Sequence, residues 1–183
     1  MIDLAFALRG VVAALEAIDA GYVVVGSTAA AAWGVARATR DVDVVAVVPA
    51  GEAAGLIERL AEAGLYVPVD EASRALAVGG AFNVLHPPSG GKVDVFVVGA
   101  DDAFTRSRLD RRIRSEVLDV PTWIATAEDV VLAKLRWRLE SRSEVQWRDC
   151  VEIAAVQPLD RTYLRVWANR LGISADLEEL LAT

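Results

Sequence analysis

Between Tyr22 and Val48 the chain reads YVVVGSTAAAAWGVARATRDVDVVAVV, and its closing D-V-D-V-V-A-V-V constrains the fold more than any other segment. On an extended strand, side chains alternate between faces, so Asp41 and Asp43 share one side while Val42 and Val44 point to the other. Two ionised carboxylates about 4–5 Å apart repel by about 3–4 kcal/mol at an effective dielectric of 20. A strand cannot splay them apart as a loop could. One carboxyl is therefore protonated, both face open water, or a cation sits between them.

The residues before this strand narrow the choice. Tyr22–Val25 is a short apolar strand that runs into Gly26-Ser27, and a small-residue helix is expected over Thr28–Trp33. Upstream, Leu4, Leu8, Val11, Val12, Leu15 and Ile18 recur at helical spacing, which predicts an amphipathic helix over Ile2–Ile18 punctuated by Gly21. Downstream, Pro49 and Gly51 break the run and Glu52–Ala63 reads as a helix stopped by Gly64. Leu65–Val69 and Asn83–Leu85 are short strand candidates separated by a polar turn and Gly79-Gly80.

The loop Pro87-Pro88-Ser89-Gly90-Gly91 delivers the chain into an alternating strand from Lys92 to Val98. Asp94 lies on one face of that strand, and Val93, Val95 and Val97 lie on the other. Ile113–Leu118 and the segment around Val120–Ile124 are further strand candidates. Thr126-Ala127-Glu128-Asp129 has the T-x-x-D form of a helix start, predicting a helix through Leu132, Leu135 and Leu139. Further helical patterns cover Val145–Val156, Arg161–Leu171 and Ala175–Leu181.

The expected architecture is α/β (α+β), a mixed sheet flanked by helices around a single continuous core. Residues 1–125 form the α/β part, and residues 126–183 form a helical subdomain packed on it. With 183 residues, 54% of them hydrophobic, the chain can bury one good core. Its apolar runs are too short to span a bilayer and the N-terminus lacks a signal-peptide pattern, so a cytoplasmic protein is expected. The single cysteine, Cys150, reads as a buried thiol. Cys150 and the single His86 cannot assemble a zinc cluster. The tryptophans at 33, 123, 137, 147 and 167 read mostly as core.

A net charge of −7 gives no global attraction for a nucleic-acid backbone. The local exception is Arg106, Arg108, Arg111, Arg112 and Arg114, opposed only by Asp110: either a solvated face or a phosphate patch. If the two aspartate-bearing strands are neighbours with matching faces, Asp94 falls beside Asp43. Asp41, Asp43 and Asp94 then face one point, an arrangement suited to a hard cation such as magnesium.

The order hydrophobic-Gly-Ser, then hydrophobic-Asp-hydrophobic-Asp, then a third Asp on a separate strand resembles the nucleotidyltransferase superfamily, whose minimal fold is shared with DNA polymerase beta. More narrowly, V-G-S, W-G, R-x-T-R-D-V-D-V, T-A-E-D-V-V-L-A-K-L and W-R-D-C-V-E-I are similar to the AbiEii-type abortive-infection toxins, over Val23–Ile153. The resemblance implies NMP transfer from an NTP to an acceptor hydroxyl on RNA, a protein or a small molecule, with a cognate antitoxin as one implied partner.

The resemblance also implies roles. Gly26 lets the backbone approach the triphosphate, and Ser27 donates to a phosphate oxygen where helical N–H groups favour an anion. Asp41 and Asp43 hold two magnesium ions, and Asp94 shares one of them and helps deprotonate the acceptor. Lys134 neutralises the triphosphate, Asp149 has a polar role, and Arg37 and Arg40 are phosphate contacts or counter-charges. The spacer between Gly-Ser and Asp41 is longer than in the shortest members of the superfamily, and the acidic chain disfavours a tRNA acceptor. The competing reading is a noncatalytic nucleotide- or protein-binding module that retains the fold. A Rossmann dinucleotide binder is excluded, because Gly26 is not followed by G-x-x-G.

Overall fold

The computed structural model describes residues 3–36 and 39–183. In chain order the elements are α1 (Leu4–Glu16), β1 (Gly21–Val25), α2 (Gly26–Ala32), β2 (Val42–Val47), α3 (Ala53–Glu62), α4 (Val69–Val78), β3 (Gly80–His86) and β4 (Gly91–Val97). They continue with α5 (Ala103–Arg111), β5 (Ile113–Val117), β6 (Val120–Ile124), α6 (Ala127–Ser141), α7 (Glu144–Val156), α8 (Arg161–Leu171) and α9 (Ser174–Leu181).

The strands form one mixed sheet in the order β3-β4-β2-β1-β6-β5. The β2/β4 and β1/β6 pairs are parallel, and the remaining neighbours are antiparallel. Alternation along the central strands separates two cores rather than the single one expected. Val42, Val44, Ala46, Val93 and Val95 pack with Leu8, Val11, Leu15, Leu56 and Leu60 on the face covered by α1, α3 and α4. Val23 and Val45 pack on the opposite face with Leu132, Leu135, Ile153, Leu164 and Leu177 from α6–α9. A sheet that is apolar on both sides must be covered on both sides.

Several expectations are corrected. Leu65–Val69 is not a strand; only Tyr66 makes an isolated bridge, to Leu85. The polar stretch after it is α4, whose Ala72 and Ala75 alone are buried, so its apolar signal was too thin to read. Asp41 sits in a bend just before β2 rather than on the strand, and the strand candidate at Asn83–Leu85 extends to His86, whose ring stacks on Phe6 at 4.0 Å. Leu139 and Trp137 are exposed on α6, whereas Trp167 is buried and Trp33, Trp123 and Trp147 are half-buried. Cys150 is buried as expected, and burial pushes its thiol up to about 12.

The arginine run is neither a wholly solvated face nor a simple phosphate patch. Arg106 is exposed, but Arg108 lies over the Phe104 ring and donates to Thr105 at 2.8 Å. Arg111 lies over the Tyr163 ring and pairs with Glu128 at 3.2 Å, and Arg112 and Arg114 lie over Trp123. Cation–π contacts let these chains cover aromatic surface while keeping part of their charge in water.

The predicted T-x-x-D cap is present and does more than end a helix. Thr126 accepts from the Asp129 amide and donates to the Asp129 carboxylate at 3.0 Å, while Tyr163 on α8 donates to the same carboxylate at 2.6 Å. Asp129 is fully buried, so this hydroxyl pair compensates a charge that burial pushes toward protonation. Tyr163→Phe leaves one oxygen of Asp129 without that donor. Urea denaturation is expected to show a loss of about 1–3 kcal/mol.

Candidate active site

The register of two parallel strands assembles the site. Asp43 on β2 pairs with Asp94 on β4, so the two carboxylates stand on neighbouring strands, about 4.7–4.9 Å apart along the hydrogen-bonding direction. Asp43 shares its face with Val45, and Asp94 shares its face with Lys92 and Phe96. Asp41 joins from the preceding bend. The Thr28 hydroxyl of α2 donates to its carbonyl at 3.3 Å, and the Thr39 hydroxyl lies 3.0 Å from both its carbonyl and its carboxylate.

Gly26 has a φ of +65°, and a Cβ there would land on the Asp43 carboxylate. Glycine is thus required both by the left-handed backbone at the start of α2 and by the close approach of Asp43. A cleft of about 350 Å³ opens at this point, lined by Gly26, Ser27 and Asp43 on one side and by Arg108, Lys134 and Gln146 on another. The exposed Trp137 ring stands at its wall.

Asp43 has an unusual electrostatic position. Burial first, then the negative charges of Asp41 and Asp94, push its carboxyl up to about 6, with Lys92 and Lys134 opposing the shift. Lys92 was not singled out from the sequence, although its alternation with Asp94 places both on one face. Its ammonium donates to Asp94 Oδ2 at 2.8 Å and lies 3.4 Å from Asp41 Oδ2.

Lys134 differs from an ordinary exposed helix lysine. Only 4% exposed, it donates to the buried Asp149 carboxylate at 2.7 Å and to Gln146 at 3.0 Å. Asp149 is therefore engaged with Lys134 inside the protein rather than at the surface. Arg40 is exposed just ahead of Asp41, and Arg37 lies outside the described residues. Gln146 is a cleft residue that no motif marked, while Arg108 stood out only within the arginine run and Trp137 only among the tryptophans; that all three meet at the cleft is decided by the packing of their helices.

The carboxylate donors suit a hard divalent cation: three are supplied, and Asp94 Oδ1 is buried with no hydrogen-bond partner among the described residues. Among the described residues, however, no three His, Cys, Asp or Glu side chains are drawn together tightly enough to hold a metal by themselves. Lys92 stands between two of the three carboxylates.

No family model matches the sequence, and no curated protein matches it. Solved structures do match the fold. An antigenic nucleotidyltransferase-like protein from Paracoccidioides brasiliensis superposes with a TM-score of 0.59 at 15% identity, covering 98% of this chain and 93% of that one. The antibiotic-resistance factor ANT(2'')-Ia gives 0.55 at 12% identity over 98% and 92% of the two chains. The lincomycin-bound lincosamide antibiotic adenylyltransferase LnuA gives 0.53 at 14% identity over 85% and 99%. The fold is accordingly that of nucleotidyltransferase-like proteins. At these identities the likeness concerns the fold.

Two measurements follow from the geometry. Lys134→Met strands the buried Asp149 charge and is expected to cost about 3–5 kcal/mol in chemical denaturation, whereas Lys134→Met with Asp149→Leu should recover most of that loss. For Asp43, the folded protein holds the proton more tightly than the unfolded chain. Its stabilising contribution is complete below the ordinary value of 3.8 and is lost as pH rises through about 6. In EDTA at pH 8, Asp43→Asn is therefore expected to be more stable than the wild type by about 2–3 kcal/mol, with the difference vanishing near pH 4.

Proposed function

We propose that the protein is a metal-dependent nucleotidyltransferase that moves NMP from an NTP to a hydroxyl of a small molecule, releasing pyrophosphate. The observation that carries this reading is the in-register pairing of Asp43 with Asp94 beside the cleft that begins at Gly26-Ser27. Lys92 offsets the repulsion of that pairing only in part, since the Asp43 carboxyl stays pushed up to about 6. Asp41, Asp43 and Asp94 are the residues that would hold a divalent ion, which when bound supplies charge neutralisation at the α-phosphate and the departing pyrophosphate.

The chain's own groups have separate tasks. Gly26 leaves room for the phosphates, and the Ser27 hydroxyl donates to a phosphate oxygen. Lys134, held by Asp149 and Gln146 at the cleft wall, presents positive charge toward the triphosphate. Arg40 and Arg37 are read as supporting counter-charges. Asp94 takes the proton from the acceptor hydroxyl as its oxygen bonds to the α-phosphorus. The bond from that phosphorus to the bridging oxygen breaks, and the electron pair leaves with pyrophosphate. Positioning of the two reactants contributes much of the rate.

Two considerations support a small-molecule acceptor. The chain carries a net charge of −7, unfavourable for a polyanionic RNA. The structures that share the fold include a lincosamide antibiotic adenylyltransferase, matched over 85% of this chain. A toxin role with a cognate antitoxin, implied by the sequence resemblance, would instead require a cellular RNA or protein as acceptor. In the described residues no helix is long and apolar enough to cross a membrane, and a cytoplasmic location, with access to NTPs, belongs to the same reading.

The test is label transfer from each α-labelled NTP with magnesium, using a panel of hydroxyl-bearing small molecules in one arm and cell extract in the other. The wild type is expected to label a small molecule, and Asp41→Ala/Asp43→Ala is expected to lose at least a thousandfold. Equal transfer by both proteins removes the proposed site. Transfer only to RNA or protein moves the reading to the toxin role, and no transfer by either favours a noncatalytic binding module.

A further inference from the structure

We infer that Lys92 takes the place of one of the two cations expected at the site, so that the protein binds a single divalent ion rather than two. The inference rests on the metal-dependent reading above and concerns how that site is built.

The geometry leads there directly. Lys92 lies two residues before Asp94 on β4, and alternation returns it to the same face. Its ammonium contacts Asp94 Oδ2 at 2.8 Å and Asp41 Oδ2 at 3.4 Å, bridging a strand residue to the bend before the neighbouring strand. A second metal ion shared by Asp41 and Asp94 would have to sit where this positive charge already stands.

The oxygen inventory agrees. One oxygen of Asp41 accepts from Thr39 and the other faces Lys92. One oxygen of Asp94 accepts from Lys92, and the other is buried without a partner among the described residues. Asp43 has one oxygen seated over Gly26. Magnesium demands near-octahedral oxygen coordination, and two such ions would need most of these oxygens as shared ligands. With Lys92 on two of them, the three carboxylates keep oxygens enough for one ion completed by water and phosphate, but not for two.

Lys92 is thus a positioning residue. It holds Asp41 and Asp94 in mutual register through a fixed charge that needs no metal, and it sets the metal count. The test counts bound Mn²⁺ by electron paramagnetic resonance in the full chain, with α,β-methylene-ATP present. The wild type is expected to retain one Mn²⁺ per chain, and Lys92→Met two, the second at least tenfold more tightly than in the wild type. Lys92→Arg, which keeps the charge, is expected to stay at one.

Two Mn²⁺ on the wild type overturns the inference, as does one on a Lys92→Met variant whose circular dichroism is native. If Lys92→Met does not fold, Lys92→Gln replaces it, and the wild-type count decides by itself against a two-ion site. A wild type that retains no Mn²⁺ with the nucleotide bound overturns the metal-dependent reading itself, a result separable from a count of two.

Discussion

Three carboxylates gathered at the start of two parallel strands are the constraint around which the rest of this molecule is arranged. Pairing β2 with β4 in parallel brings Asp43 level with Asp94, and the bend before β2 adds Asp41. The backbone cannot relieve the repulsion, because both strands lie inside the sheet and are anchored on their other face by Val42, Val44, Val93 and Val95. Moving either strand by one residue would turn those valines out of their core. The hydrophobic pattern therefore enforces the electrostatic strain, and the strain shows as a carboxyl at Asp43 pushed up to about 6.

The surroundings answer that strain with two lysines placed in different ways. Lys92 is half-exposed and bridges two of the carboxylates, so its charge acts within the cluster. Lys134 is buried, and its own charge is compensated by Asp149, which fixes its position at the cleft wall. A buried ion pair contributes little net stability, because desolvation offsets most of the attraction. Its value here is geometric: it keeps one ammonium at the wall of the Gly26–Ser27 cleft. Asp129 is handled differently again: hydroxyls from Thr126 and Tyr163 bond its carboxylate, the Arg111 guanidinium stands 3.9 Å away, and the cluster joins α6 to α8.

Gly26 illustrates how one residue serves fold and site together. A glycine is needed there for a left-handed turn from β1 into α2, and the Asp43 carboxylate occupies the space a Cβ would take. The same absence of a side chain leaves the cleft open beside Ser27. A motif glycine read as a phosphate-loop residue is thus already required by the fold itself.

Strong local patterns were legible in the sequence: the apolar alternation of β2 and β4, the helical spacing of α1, and the T-x-x-D start of α6. Each of these signals depends on residues a few positions apart, whose relation is set by the geometry of a helix or strand. The joint facing of Asp43 and Asp94 could be stated only as a condition, since nothing local says which strands are neighbours. Helix α4 was missed because its buried face is only two alanines, too small to stand out among the polar residues around them. Tertiary packing alone decided that the sheet separates two cores, that Lys134 and Asp149 are buried together, that Arg108 and Trp137 line the cleft, and that Lys92 reaches both Asp41 and Asp94. Those facts join residues distant in the chain, through contacts whose energy exists only once the layers have closed.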